Sequence, residues 1–190
     1  VGDGTSGVYL WGAQLEEGSF PTSYIPTTSS TVTRAADVAS ITGTNFSSWY
    51  NQSEGTVFSI SSSVTNLQSS AERYPYNIYQ DGSNSHGFGY RSGGFDNFVH
   101  NTFAGGSRQF SPVDAGDPTY TNDKTAYSYS NTGGSTVHNS QEWSSSTSDL
   151  SVINPTILYI GGTGYLNGHI SRLAYYPYRL ADATLQEITS

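Results

Sequence analysis

The sequence has no cysteine and no methionine. Without cysteine there is no disulfide, and the redox compartment stays unread. Without methionine no initiator residue is visible, so the chain is expected to be a cut or processed piece of something longer. No apolar run approaches the length of a membrane span and no signal-peptide pattern opens the chain, so membrane insertion is not expected. Charge is scarce too: charged residues make up 12%, with seven Lys and Arg against fifteen Asp and Glu and a formal net charge of −8. That balance argues against nucleic acid as a partner, because phosphates need a basic surface.

What is abundant points the other way from disorder. Aromatics reach 14%, with fifteen Tyr, among many Ser, Thr, Asn and Gly. A disordered acidic tail is charge-rich and aromatic-poor. The composition fits a β-rich extracellular or virion surface on which hydroxyls and amides face water. Tyr-rich surfaces can bind sugars, although most of these Tyr are expected to pack within sheets. The 190 residues suit one β-domain plus an appendage and can bury a core without staples.

Helical periodicity is nearly absent until the end of the chain. "GTVFSISSSV" alternates Val57, Ser59 and Ser61 against Phe58 and Ile60, which predicts a half-buried strand. "YPYNIYQDG" ends in a turn signal at Asp81-Gly82, and "HGFGYRSGG" reads as its return strand. "DNFVHNTF" predicts another strand, and "AGGSRQFSPVDAGDPTYTND" a long polar loop. "KTAYSYSNTGGSTVHNSQEW" predicts a hairpin turning at Asn131–Gly134, "SSSTSD" a loop, and "TILYIGG" a short apolar strand. Only "LADATLQEITS" reads as a helix, with Asp182 as its N-cap and Leu185 and Ile188 on one face. Many short strands mean a β-sandwich.

The C-terminal block is the most specific. "LYIGGTGYLNGHISRLAYYPYRLADATLQEI" holds Ile160-Gly161-Gly162, Leu166-Asn167-Gly168-His169-Ile170, Tyr175-Tyr176-Pro177 and Arg179-Leu180-Ala181-Asp182. This succession resembles the closing motif of laminin-G-like, concanavalin A-like jelly rolls. The resemblance implies an all-β fold, an antiparallel jelly-roll β-sandwich with a short C-terminal helix. Ile170, Leu173 and Tyr175 are spaced three then two, so a bulge is expected if all three face the core. Pro177 then ends the strand, since it cannot donate to the ladder.

The opening stretch "VYLWGAQLEEGSFPTSYIPTTSSTVTRAADV" begins with the β-formers of "GVYLW" and continues past Pro21 and Pro26 as an extended connector. It resembles a connector of tailed-bacteriophage structural proteins that closes an upstream jelly roll. On that resemblance residues 1–33 are a strand and connector from an upstream module, Val8 to Leu15 being its last strand, and residues 34–190 are the laminin-G-like domain. The pairing implies a tail fibre, spike or virion appendage, located on the virion's external surface. It also implies a homo-oligomer, a trimer by preference, with other virion proteins and host cell-surface polysaccharide as partners.

Catalysis finds no support. A retaining glycosidase needs two carboxylates close together across the bond, and no Glu here has an Asp two residues on and a Glu four on. Glu16 and Glu17 are adjacent, so in a strand they point to opposite faces. No nucleophile elbow, His-Glu-x-x-His or phosphate loop occurs. His86, His100, His138 and His169 are scattered and read as surface or satisfied histidines. "DAGDPTYTND" gathers Asp114, Asp117, Asn122 and Asp123, oxygen donors of the kind calcium prefers. Asp before Gly or Pro is also ordinary turn chemistry, the preferred reading of that loop.

Sugar recognition uses aromatic faces beside amides and carboxylates. Tyr74 and Tyr76 share one strand face if their segment is extended, near Tyr79, Asn77, Asp81 and Asn84. Trp143 lies near Asn139, Gln141 and Glu142 just past the hairpin. A core-facing stripe is the competing reading for the Tyr pair, and a plug between loops for Trp49. Contacts are expected on rim loops, at residues 81–97, 105–123 and around Trp143. Three functions follow: a glycan-recognising virion domain, a purely structural oligomerisation or docking module, and an accessory module of a glycan-degrading tailspike.

Overall fold

The computed structural model describes residues 3–16, 23–33, 39–63, 73–91, 97–110, 113–115, 122–161, 166 and 168–190. The chain divides into two compact units, Val1–Asp37 and Val38–Ser190. In the first unit the chain folds back on itself. Gln14 Oε1 accepts the Ile25 N–H at 2.8 Å, and the Trp11 and Tyr24 rings lie 5.0 Å apart. Gly12, at φ +69°, turns beneath the Tyr24 ring. Among the described residues no strand ladder includes Val8 to Leu15, and β-formers without a pairing partner make no strand. Val8, Tyr9, Leu10, Trp11 and Leu15 are exposed.

The second unit is an antiparallel sandwich. Its elements are β1 (Ala39–Thr42), α1 (Thr44–Ser47), β2 (Glu54–Ser63), β3 (Arg73–Asp81), β4 (Asn84–Arg91), β5 (Asn97–Ala104), β6 (Ser107–Phe110) and β7 (Val113–Ala115). They continue with β8 (Asp123–Ser130), β9 (Gly134–His138), β10 (Gln141–Ser146), β11 (Ile157–Ile160), β12 (Gly168–Tyr176) and α2 (Asp182–Ile188). The seven-stranded sheet runs β1-β11-β3-β4-β5-β6, with β7 also on β5, and the five-stranded sheet runs β10-β9-β8-β2-β12.

Between the sheets Tyr76, Ile78, Phe88 and Tyr90 of one meet Val57, Tyr127 and Tyr129 of the other, all fully buried. This core is tied by hydroxyls as well as packed. Tyr127 Oη lies 2.6 Å from His86 Nδ1, and Tyr90 Oη lies 2.7 Å from Ser61 Oγ. Tyr129 Oη donates to the Asn51 carbonyl at 2.5 Å. The large majority of buried polar groups are hydrogen-bonded, and each of these links helps fix how the sheets sit on one another.

β2 is central, and both of its faces are buried rather than one. Val57, Ser59 and Ser61 point inward, while Phe58 lies beneath α2 with Ala126, Val137 and Leu185. Burying Leu185 alone stabilises the helix contact by ~2 kcal/mol. The expected bulge of β12 is present: Ile170, Leu173 and Tyr175 pair with Ser61, Ser59 and Val57, and the register shifts between Ile170 and Arg172. The hairpin turn between β8 and β9 packs tightly. Gly133 holds φ +113°, and a β-carbon there would meet Ser146 O at 1.8 Å.

Four further expectations change. The polar loop after β5 contains β6 and β7, and part of the "SSSTSD" loop is the end of β10, an edge strand whose serines carry no apolar signal. The single turn α1 buries only Phe46, too short for a visible period. Asp182 is the first residue of α2 rather than its cap; Ala181 holds that place with extended backbone.

Candidate functional site

The two sheets differ in what covers their outer faces. On the five-stranded sheet, Leu185, Ile188 and Leu180 cover Phe58, Ala126 and Val137. The outer face of the seven-stranded sheet carries aromatic and amide side chains instead, and strand register sets which ones.

Inward residues of β3 and β4 are Tyr76, Ile78, His86 and Phe88, paired as Tyr76–Phe88 and Ile78–His86. Alternation therefore turns Asn77 and Tyr79 outward, opposite Gly87 and Ser85. On the other side of β3, Asn77 pairs with Tyr159 and Tyr79 with Ile157. The Tyr79 and Tyr159 rings meet edge to face at 5.8 Å, an arrangement favoured by their quadrupoles.

Tyr74 joins this outer group, and Tyr76 does not. Between Arg73 and Tyr76 the ladder advances three residues on β3 and two on β4, from Tyr90 to Phe88. The extra residue falls at Pro75, which has no N–H to give to a central strand. Its carbonyl is used, accepting the Gly161 N–H at 2.8 Å. The bulge breaks the alternation, so two tyrosines two positions apart face opposite ways. Tyr74 crosses above Gly87: a β-carbon at Gly87 would lie 2.9 Å from Tyr74 Cδ1 and 3.4 Å from Asn77 Cγ. The missing side chain at Gly87 gives Tyr74 its seat.

Asn77 is thus flanked by Tyr159 on one neighbouring strand and by Tyr74 over the other, platforms two strand spacings or roughly 10 Å apart. It is 6% exposed, and its Oδ1 is buried with no hydrogen-bond partner. At one end of this face two hairpin tips are joined. Ser83 O accepts the Gly106 N–H at 2.9 Å, and Asn84 Oδ1 accepts the Gly105 N–H at 2.8 Å.

The sequence candidates divide accordingly. Tyr76 is a core residue, 1% exposed, and presents no face to a ligand. Asp81 and Asn84 build the hairpin turn: Asp81 Oδ1 accepts from the Ser83 N–H at 2.8 Å and from Asn84 Nδ2 at 2.9 Å. Gln141 is exposed at the start of β10. Trp143 occupies the irregularity of β10 between Glu142 and Ser144, and its side chain lies outside those described. Trp49 packs against Phe46, Tyr50 and Tyr175.

Among the described residues no group of three or more His, Asp or Glu gathers, and the candidate loop from Asp114 to Asp123 lies partly outside them. Asp123 is buried at the start of β8 with Oδ1 3.1 Å from His138 Nε2. Asn122 is exposed at φ 59° and donates its N–H to Ser62 Oγ at 2.8 Å. Asp114 lies in β7 with an undescribed side chain, and Asp117 is outside the described residues. His86 and His138 are buried and bonded, and His169 is exposed. His100 lies in β5, its side chain undescribed. Tyr159 lies in "TILYIGG", which reads as a short apolar strand; its alternation against Leu158 and Ile160 is the signal that marks it as outward-facing.

No family model matches this sequence, and no curated protein matches it. Solved structures do match in fold. The Ruminococcus gnavus IT-sialidase CBM40 bound to α2,3-sialyllactose superposes with a TM-score of 0.58 at 15% identity, over 76% of this chain and 86% of that one. Domain 4 of AbnA, an extracellular arabinanase of Geobacillus stearothermophilus, in complex with arabinotriose, gives 0.51 at 14% identity, over 74% and 68%. Trypanosoma rangeli sialidase gives 0.55 at 10% identity over 73% of this chain, which spans 23% of the sialidase. At such identities the likeness shows the fold, an antiparallel jelly-roll sandwich.

Proposed function

We propose that residues 38–190 form a non-catalytic carbohydrate-binding domain, and that the outer face of the seven-stranded sheet is its binding surface. The observation that carries this reading is the group Tyr74, Tyr79 and Tyr159 set around buried Asn77. Aromatic faces take the C–H side of a pyranose, and an amide answers its hydroxyls. The fold neighbours support the reading, since one is a carbohydrate-binding module holding sialyllactose and another is a domain holding arabinotriose. The test is a glycan array followed by calorimetry on the parent, Tyr74→Ala, Tyr159→Ala and Trp143→Ala. The expected result is binding by the parent that falls in the first two variants and not in the third. Loss confined to Trp143→Ala would move the site to the rim, and a parent that binds no glycan would overturn the reading.

The resemblance of the opening connector and closing motif to tailed-bacteriophage proteins supports a place on the virion exterior, in a tail fibre, spike or appendage that meets host-surface polysaccharide. A homotrimer is the expected assembly, checked by light scattering. The exposed run Val8–Trp11 favours a second reading, a docking or oligomerisation module. That reading gains if the parent assembles but binds no glycan.

A further inference from the structure

A cavity of about 260 Å³ lies between the two sheets, lined in part by β1 and β12, each of which ends its sheet. Strand register gives it a shape. Ile41 pairs with Leu158 and Leu158 with Ile78, so three of its lining side chains stand abreast across β1, β11 and β3. Opposite them Tyr175 pairs with Val57 across β12 and β2. Burial deepens along both rows. Ile41 and Tyr175, on the edge strands, are only partly buried, whereas Leu158, Ile78 and Val57 are buried. The cavity is therefore a slot entered from the side of the sandwich. It runs inward across the strands for two strand spacings, roughly 10 Å.

The described walls of this slot are hydrocarbon and aromatic. The two side chains among them that carry polar atoms use those atoms elsewhere. Trp49 Nε1 donates to the Asn45 carbonyl at 2.6 Å. Tyr175 Oη accepts the Asn51 N–H at 2.8 Å and lies 2.9 Å from Tyr129 Oη. A water molecule needs several polar partners, which these walls do not offer. Sugar hydroxyls would meet the same desolvation cost, so the slot does not extend the glycan face. An apolar cavity of about 150 Å³ already accepts a benzene ring, and this one is larger and elongated. A linear alkyl chain matches it, with the methyl end against Ile78 and Val57 and the polar head in water beyond Ile41. We infer that the slot binds one alkyl chain of a monomeric amphiphile, end on, between the sheets.

Calorimetry on the full chain with primary alcohols from n-butanol to n-octanol tests this, with cyclohexanol and benzyl alcohol as compact controls. One saturable site is expected, tightening about fourfold per added methylene, the gain from burying one such group. Cyclohexanol should bind about fivefold more weakly than n-hexanol. Leu173→Phe and Ile160→Phe push a ring into the slot from opposite sheets. Each should lose octanol affinity by about tenfold or more. Each should also melt at the parent temperature or above it, because filling a cavity commonly stabilises. Affinity that does not rise with chain length overturns the inference, and so does tighter binding of either compact alcohol than of n-hexanol. Octanol affinity kept in either folded variant overturns it as well. Co-sedimentation with phosphatidylcholine vesicles, without a saturable alcohol site, would replace the single chain with a bilayer surface and overturn the assignment.

Discussion

Tyr127 and His86 meet at 2.6 Å in the middle of the sandwich, one from each sheet and neither exposed. Thr102 Oγ1 stands 3.3 Å from the same His86 nitrogen, so the strong member of the trio is the tyrosine. Tyr127→Phe keeps the ring and removes the hydroxyl. It should lower stability by about 1–3 kcal/mol, the cost of leaving a buried polar group poorly bonded. Urea unfolding monitored by circular dichroism checks this, with an unchanged midpoint as the contrary result.

Alkali should unfold the domain through its tyrosines. Burial pushes the phenols of Tyr76, Tyr127 and Tyr129 well above the ordinary 10.0. These groups hold their protons more tightly folded than unfolded, so their contribution to stability is fully present below pH 10. It falls as pH rises above that value, because the unfolded chain then releases protons the folded one retains. Ultraviolet titration should show exposed phenols ionising first, and the remainder only together with the loss of β circular dichroism. All fifteen Tyr ionising near the ordinary value in a folded protein would contradict this.

Gly87→Ala tests the seat of Tyr74. The added methyl would stand 2.9 Å from Cδ1, and a tyrosine side chain can swing aside where backbone cannot. Stability should change by no more than about 1 kcal/mol. Glycan affinity should fall several-fold, since the platform is displaced. Affinity equal to that of the parent would separate Tyr74 from the site.

Gly133→Ala should behave very differently. Its methyl would meet a backbone oxygen at 1.8 Å in a residue whose φ is +113°. Neither side of that contact can rotate away, and the expected loss is on the order of 3 kcal/mol or more. Expression in soluble form and the melting temperature report it.

The sandwich was legible because its strands alternate and its turns carry Gly, Asn and Asp. Val57 against Phe58, and Asp81-Gly82, are such signals. The odd spacing of Ile170, Leu173 and Tyr175 even foretold the β12 bulge. What sequence hid was burial on a second face. The alternation of Val57, Ser59 and Ser61 against Phe58 and Ile60 predicts one buried face, yet α2 covers Phe58 as well, a contact across more than a hundred residues. The site was half visible in the same way. Tyr74, Asn77 and Tyr79 lie in one short segment, but the role of Gly87 as a seat exists only in three dimensions. Trp49 packs half-buried against Phe46 and Tyr175, in keeping with the plug its polar neighbours left open in the sequence.

Pro75 has a consequence for how this surface can be inherited. The imino acid is the odd residue in its strand, and parity decides which tyrosine the solvent meets. Losing Pro75 altogether would close the ladder and still leave Tyr74 and Tyr76 on opposite sides, now as immediate neighbours. Replacing it with valine would restore an N–H and reward a regular strand, which draws both tyrosines to one side and empties either the core or the platform. In descendants of this chain, deletion at this position is therefore the gentler event and substitution the harsher one, the reverse of the usual rule for a strand in the middle of a sheet.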